Sequence, residues 1–452
     1  MNKVRSLKIS ISGVRGIVGD TLTPQLLTAF AGAFGTYLGP GPILVGRDTR
    51  QSGEMVGNAV FAGLLAAGCE PVDLGICPVP SIQIRTAEVR SSGAIAITAS
   101  HNPAQWNALK FISAEGLFLN GYQADELLDI YHQRSFTLVP SSEIRNVRRD
   151  ARAIPGHIQR LLRYFDADLI GRARLKVVLD SCNGAGSLAA PQFLRALGCR
   201  VVELHTTPNG IFPRDPEPTP ENLTVLRKAV VQHCADVGFA QDADADRLAV
   251  IDPLGNPIGE DYTLALATLF VLEKHRGPVV TNLSTTRAID DIAESLSCPV
   301  IRTKIGEANV VEEMIHAGAV VGGEGNGGVI LPEIHYCRDS MSGMGAVLQL
   351  MADHRKSLPQ ILEQIPRYFM VKQKVDLPPD RVSPLLESLE RRLAAAGKTK
   401  LDGLKLFWPD ACLHVRASNT EPVVRIVAEA KSRRRAQALV RETLDLIAQL
   451  AP

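Results

Sequence analysis

Three stretches of this chain repeat one order of short apolar runs and amphipathic segments, and that echo constrains the fold more than any single motif. Each stretch opens on a strand-like run, at Ile43–Gly46, Lys176–Asp180 and Pro278–Thr281. An amphipathic segment follows; between Ser52 and Ala67, residues Met55, Val56, Ala59, Val60 and Leu64 recur at helical spacing. A second run opens beside Cys69, Cys199 and Cys298. A third run, beginning near Gly93, Asp236 and Ala319, ends each time in a loop of small and polar residues. A fourth run follows at Leu109–Ile112, Leu248–Ile251 and Val329–Leu331. Apolar runs alternating with helical stretches predict mainly parallel sheets with crossover helices. Ligands of such sheets sit beyond the carboxyl ends of the strands, so three equivalent loops could converge on one cleft. The inserts differ in length, and α/β units also resemble one another by chance.

The remaining stretch departs from this plan. Arg367 to Pro452 reads as strand, helix, two or three strands, helix. A turn at Pro378, Pro379 and Asp380 precedes a helix expected over Ser383–Ala395, with Ser383 as cap and Pro384 at the first helical position. Strands follow at Leu404–Phe407, Cys412–Val415 and Val423–Ala428, and a basic helix spans Lys431–Leu450. The predicted architecture is α/β: three similar mixed α/β domains around a central cleft, plus a smaller C-terminal α+β domain. The expected divisions are 1–152, 153–253, 254–366 and 367–452, in keeping with about three or four domains for a chain of 452 residues.

Charge and cysteine usage narrow the function classes. Lys and Arg total 49 against 48 Asp and Glu, a net charge of +1. No global field draws nucleic acid or an anionic membrane, so an anionic ligand must be held by a local cluster. No apolar run nears the roughly 20 residues of a membrane span, and the N-terminal residues lack the apolar core of a secretory signal. The eight Cys form no CxxC pair and read as reduced, mostly buried thiols of a cytoplasmic protein.

Four loops carry candidate chemistry. Thr98-Ala99-Ser100-His101-Asn102-Pro103 places Ser100 just past a strand, with His101 and Lys110 nearby in sequence. A serine nucleophile needs an activating base, electrophilic neighbours or a metal; alternatively Ser100 and Asn102 only build a turn. Asp242-Ala243-Asp244-Ala245-Asp246-Arg247 sets three carboxylates at alternate positions between two apolar runs. Their mutual repulsion is relieved by a hard divalent cation, and oxygen-only ligation favours Mg²⁺ over Zn²⁺. An EF-hand does not fit, because its sixth position would be Arg247 and its twelfth Pro253. An exposed acidic turn is the other reading.

The third loop runs Gly322-Gly323-Glu324-Gly325-Asn326-Gly327-Gly328. Gly323, Gly325 and Gly328 match GxGxxG, but the β-branched Val329-Ile330 follows where a dinucleotide site needs a helix. Glu324 and Asn326 suit sugar hydroxyls; a tight structural turn is equally compatible. The fourth loop, Arg416 to Pro422 with Arg425 beyond it, gathers two Arg, two hydroxyls and an amide. That set suits a phosphate, or else forms a surface turn. Arg15 lies in a glycine-flanked stretch, and Arg47-Asp48-Thr49-Arg50 ends the first strand; either could make a structural ion pair.

TASHNP, DADADR, GEGNGG and RASNTEP occur in that order, one per domain. Together they resemble the α-D-phosphohexomutases: phosphoglucomutases, phosphomannomutases and phosphoglucosamine mutases. The resemblance covers nearly the whole chain and implies four domains around a deep cleft. It implies that Ser100 is the phosphoserine, and that Asp242, Asp244 and Asp246 hold one Mg²⁺ per chain together with a Ser100 oxygen. It implies Arg15 and Arg247 near the phosphoryl group, and His101 and Lys110 in proton transfer. It places Glu324 and Asn326 at the sugar, Lys304 on the substrate, and Arg416, Ser418, Asn419, Thr420 and Arg425 around the non-transferring phosphate. The implied reaction interconverts hexose 6-phosphate and hexose 1-phosphate through a 1,6-bisphosphate, which also serves as activator. The implied enzyme is a cytoplasmic monomer or homodimer with no nucleic-acid or membrane partner.

Two stretches depart from the family pattern. Asn107-Ala108 stands where Asn-Gly is usual, and the sugar loop carries Asn326 and Gly328 where Glu-x-Ser-Gly-His is frequent. Asn419 fits mannose and glucose enzymes, whereas GEGNGGVI resembles archaeal-type phosphoglucosamine mutases. Glucosamine phosphate is the first expectation. The alternatives are a phosphomannomutase/phosphoglucomutase and a non-catalytic sugar-phosphate-binding protein.

Overall fold

The computed structural model describes residues 7–10, 13–417 and 423–450. Its first three sheets share one strand order. In each unit the fourth strand lies beside the third, the third beside the first, and the first beside the second. In the first unit these are Trp106–Ile112, Gly93–Ile97, Pro42–Arg47 and Glu70–Ile76. In the second they are Leu248–Ile251, Val237–Gln241, Lys176–Asp180 and Arg200–Leu204. In the third they are Gly328–Ile330, Val321–Glu324, Val279–Asn282 and Val300–Thr303. Three strands run parallel and the fourth returns antiparallel to the third in every unit. The echo in the sequence is therefore one topology used three times, and the loop between third and fourth strands leaves the same corner of each sheet. The first sheet gains Lys8–Ser10 and Gly13–Ile17 at one edge and Arg148–Arg149 at the other.

Local chemistry explains the crossover helices. Thr23 accepts from the Leu26 amide and caps Pro24–Leu38, with Pro24 at the first helical position. This helix packs on Gly53–Ala66. A Cβ at Gly63 would sit 2.4 Å from the Thr28 carbonyl oxygen, so glycine sets how closely the two helices approach.

The C-terminal unit is a five-stranded antiparallel sheet in the order Phe369–Asp376, Val423–Ala430, Ala411–Ala417, Leu404–Trp408, Gly397–Thr399. It has one strand more than the strand count read from the sequence allowed, because Gly397–Thr399 is short and polar. Helices Pro379–Arg392 and Arg433–Leu450 cover one face. The first starts at Pro379, not at Pro384, which lies inside it. The apolar series Val382, Leu385, Leu386, Leu389 and Leu393 packs on the sheet and carries the helix across Pro384. That residue is exposed, leaving the carbonyl it cannot bond open to water.

Seven of the eight thiols are buried, and Cys234 is exposed. The largest apolar core is continuous across the second and third units, from Leu161, Phe193 and Phe239 to Leu264, Phe270 and Met344. The C-terminal unit has its own core, built on Leu389, Leu413, Val424 and Leu439. Three units also meet in a buried relay: Ser81 Oγ lies 2.9 Å from His157 Nδ1, and His157 Nε2 lies 3.1 Å from Asp339 Oδ2. All three side chains are sealed from solvent, so this Ser–His–Asp order in space joins domains and is not a hydrolase triad. The C-terminal unit docks on the third through Glu429, which accepts from Thr286 Oγ1 and the Arg287 amide.

Candidate active site

The Ser100 loop is held from beneath by a network of fixed donors. Ser100 adopts a left-handed backbone at φ +50°, a conformation that costs a residue bearing a Cβ on the order of 1 kcal/mol or more. Arg50 over-determines it. Its Nε pairs with Asp48 Oδ2 at 2.9 Å, Nη1 donates to the carbonyls of Pro103 and Trp106, and Nη2 donates to those of Ser100 and Asn102. Thr98 completes the cradle, donating to Asp48 Oδ2 and accepting from the Ser100 amide. The sequence marked Asp48 and Arg50 only as an ion pair; that Arg50 grips four carbonyls of another loop was not legible.

The second loop meets the first. Ser100 Oγ donates to Asp242 Oδ2 at 2.6 Å, across 142 residues of sequence. Asp242, Asp244 and Asp246 are each at most 1% exposed, and one oxygen from each lies within 4.8 Å of the others. Lys110 Nζ donates to Asp244 Oδ2 at 2.8 Å and lies 3.9 Å from Asp246 Oδ2. Burial and the neighbouring carboxylates push the Asp242 carboxyl well above its ordinary range. Burial acts to raise Asp244 too, but the Lys110 ammonium and hydrogen bonds hold it below. Asp244 Oδ1 and Asp246 Oδ1 are buried and accept no hydrogen bond. Buried carboxylate oxygens without donors are costly. Paired with an all-oxygen set, they fit a hard divalent cation.

The other predicted residues of this half surround the same point. Arg15 Nη1 donates to Asn102 Oδ1 at 2.6 Å. His101 Nδ1 lies 3.4 Å from Ser100 Oγ. Burial, with Arg247 and Arg15 adding repulsion, pushes its imidazole down to about 2, so it is neutral here. The Arg247 amide donates to Asp242 Oδ1 at 3.3 Å, while its buried Nε has no hydrogen-bond partner.

The sugar-loop residues line a cavity of about 320 Å³ between the third and C-terminal units. One wall is Asn282, Ser284, Glu324 and Asn326; the other is Lys372, Lys374, His414, Arg416 and Arg425. Glu324 Oε1 accepts from Asn282 Nδ2 and the Gly306 amide, and Oε2 from Arg338 Nη1 at 2.8 Å. Burial raises its carboxyl, but Arg338 and these donors bring it below the ordinary value. Lys374, Arg425 and Arg416 are direct cross-strand neighbours. Three cations in a row repel, and the buried Arg425 Nε has no partner; a dianion in the cavity answers both. Lys304 is exposed and does not line the cavity, although Ile305 does. Ser418, Asn419 and Thr420 lie outside the described residues.

Ser100 is not among the residues lining this cavity. What joins the two halves is Arg338, which sequence reasoning missed. Its Nη2 reaches Asp246 Oδ2 at 2.5 Å and its Nη1 reaches Glu324. Arg214 was also missed: it pairs with Asp180 and donates to the Gln241 carbonyl, one residue before the carboxylate trio.

Family models for the phosphoglucomutase/phosphomannomutase fold match almost the whole chain: α/β/α domain I over residues 7–138, domain II over 155–255, domain III over 259–368, and the C-terminal domain over 370–446. A Thermococcus kodakarensis protein called phosphoglucomutase/phosphomannomutase is 37% identical over 444 residues, covering 96% of each chain. A probable phosphoglucosamine mutase of Methanopyrus kandleri is 36% identical over 440 residues, again covering 96% of each. Among solved structures, a phosphoglucomutase/phosphomannomutase family protein from Burkholderia thailandensis superposes with a TM-score of 0.85. It is 26% identical, and the match covers 100% of this chain and 98% of that one.

Proposed function

The chain belongs to the phosphoglucomutase/phosphomannomutase family and is a hexose-phosphate mutase; from that premise we propose that it interconverts glucosamine 6-phosphate and glucosamine 1-phosphate. The observation that carries the reading is Ser100 Oγ at 2.6 Å from a buried carboxylate trio with two oxygens that accept no hydrogen bond. Ser100 carries a phosphoryl group in the resting enzyme. A sugar hydroxyl attacks phosphorus, the bond to Ser100 Oγ breaks, and the sugar proton passes to the neutral His101 imidazole, with the charge of Lys110 supporting the transfer. The resulting 1,6-bisphosphate turns end for end, and Ser100 Oγ takes the other phosphoryl group. Hexose 1,6-bisphosphate restores enzyme that has lost its phosphoryl group.

Asp242, Asp244, Asp246 and an oxygen on Ser100 would hold one Mg²⁺, which when bound offsets charge on the transferring group. Arg15, Arg247 and Lys110 supply the remaining positive charge. At the far end Arg416 and Arg425, with Ser418, Asn419 and Thr420, grip the phosphate that is not moving; Lys304, outside the cavity lining, has to swing inward to reach the substrate. Glu324 supports the amino sugar: its carboxyl is held ionised, and it accepts from an ammonium at C2 more strongly than from a hydroxyl. The domain divisions at 152, 253 and 366 go with this reading. So does a cytoplasmic monomer or homodimer with no nucleic-acid or membrane partner; no helix among the described residues is long and apolar enough to cross a membrane. The Thermococcus relative's name favours a second reading, a glucose or mannose phosphate mutase.

The experiment is a panel of glucosamine 6-phosphate, glucose 1-phosphate and mannose 1-phosphate with Mg²⁺ and a trace of bisphosphate. The highest kcat/KM is expected for glucosamine phosphate. A higher value for glucose or mannose selects the second reading, and a wild-type rate in Ser100→Ala removes Ser100 as nucleophile.

A further inference from the structure

Arg338 is a buried cation shared by three carboxylates that belong to different parts of the site. Nη2 donates to Asp246 Oδ2 at 2.5 Å, Nη1 to Glu324 Oε2 at 2.8 Å, and Nε to Glu307 Oε2 at 2.9 Å. Its backbone amide also donates to Glu307 Oε1 at 3.2 Å. Only 8% of the residue is exposed. The stem reaches this position because Gly328 has no side chain: a Cβ there would sit 2.4 Å from Arg338 Cδ. Asp246 ends the carboxylate trio and Glu324 starts the cavity wall, so one rigid guanidinium spans the two.

We infer that Arg338 is a positioning residue that fixes the spacing between the phosphoryl-transfer centre and the sugar-binding wall, with Gly328 as the gap that admits it. The inference rests on the mutase reading above. A planar fork holds three carboxylates at set angles, which an ammonium cannot. It also occupies Asp246 Oδ2 and leaves Oδ1 without a hydrogen bond, 3.8 Å from Arg247 Nε, so it presents one defined oxygen to a cation. A bisphosphate that turns over within the cleft needs both ends of the site at one distance in both half-reactions. Arg338 sets that distance without touching the reacting atoms.

The test compares wild type, Arg338→Lys, the charge-balanced double variant Arg338→Met/Glu307→Gln, and Gly328→Ala. The last keeps every charge and presses chiefly on the stem, its Cβ falling 2.4 Å from Arg338 Cδ against 3.1 Å from Asn326 Oδ1. Two measurements are made on each: the Mg²⁺ concentration that half-saturates the rise in unfolding midpoint, read without substrate, and kcat and KM on glucosamine and glucose phosphates. Arg338→Lys is expected to lose about 100-fold in kcat/KM and Gly328→Ala about 10-fold, mostly in kcat, as misplacements of an ångström or so do. The preference between the two sugars should shrink, and the Mg²⁺ midpoint should move at least about threefold, about 0.65 kcal/mol or more by the usual conversion.

A merely structural Arg338 predicts a lower unfolding temperature with kcat, sugar preference and Mg²⁺ midpoint unchanged per folded molecule; that result overturns the inference. If the Arg338 variants do not fold, Gly328→Ala decides alone, and wild-type values in it overturn the inference. Wild type that turns over no hexose phosphate defeats the mutase reading instead, while an unmoved Mg²⁺ midpoint in the variants still counts against Arg338.

Discussion

Replacing Arg50 with Met should destabilise the first domain by about 4 kcal/mol at pH 8, and by less at lower pH. All five guanidinium N–H groups are engaged, four on carbonyls of the Ser100 loop and one on Asp48. Asp48 is 1% exposed, and removing one partner of a buried pair costs roughly 3–5 kcal/mol. Met fills most of the stem volume, so little of the loss is cavity, whereas the four abandoned carbonyls keep the figure from the low end. In the wild type, burial already raises the Asp48 carboxyl above its ordinary value, against the pull of Arg50. Without Arg50 it rises further. A carboxyl whose folded pKa exceeds its unfolded one binds a proton on folding, so lowering the pH stabilises the fold. Between the wild-type and the variant folded-state pKa values of Asp48 the stability lost should shrink by up to about 1.4 kcal/mol per pH unit as the pH falls. Urea unfolding at pH 8.0 and 5.5, read on the transition that includes the first domain, measures both effects. A loss under about 1 kcal/mol, or one that does not change with pH, would refute the argument that Arg50 is the staple of this loop.

Two further outcomes follow from the two ends of the site. Lys374→Gln should raise KM for the 1-phosphate and the 6-phosphate in parallel, by about 10-fold, because the same row of cations meets the idle phosphate in either direction; initial rates in both directions measure it, and a rise in only one direction contradicts it. Chelation by EDTA should abolish turnover in the wild type and Mg²⁺ should restore it, whereas in Asp244→Asn restoration should need at least about 10-fold more Mg²⁺; equal requirements would remove Asp244 from the cation site.

Much of this molecule could be read before its coordinates, for reasons that particular residues make clear. The repeated strand order was visible because each third strand is a β-branched or small apolar run stopped by a polar loop, as at Ile97-Thr98 and Gln241-Asp242. The three Asp were visible because adjacent carboxylates repel one another conspicuously, whereas Ser100 alone read as a turn residue and stood out only beside the Asp loop and through the resemblance of its TASHNP motif. Arg338 was not, because its partners lie 14, 31 and 92 residues away and an Arg-Asp pair after a loop looks like any surface pair. The helix start at Pro379 was missed because Pro384 and Ser383 carry a strong local start signal; tertiary packing of Leu385 and Leu389 overrode it.

The shared core described above also sets what can swing. Leu161, Phe239 and Phe270 belong to one apolar mass, so the second and third units have no seam along which to part and behave as a single anvil. The C-terminal sheet keeps its own oil, closed around Leu389 and Val424. It could tilt away with its row of arginines and return, wetting polar contacts such as that of Glu429 and exposing little grease. A hinge placed there would let a bulky doubly charged sugar swivel while the nucleophile and its carboxylates stay clamped.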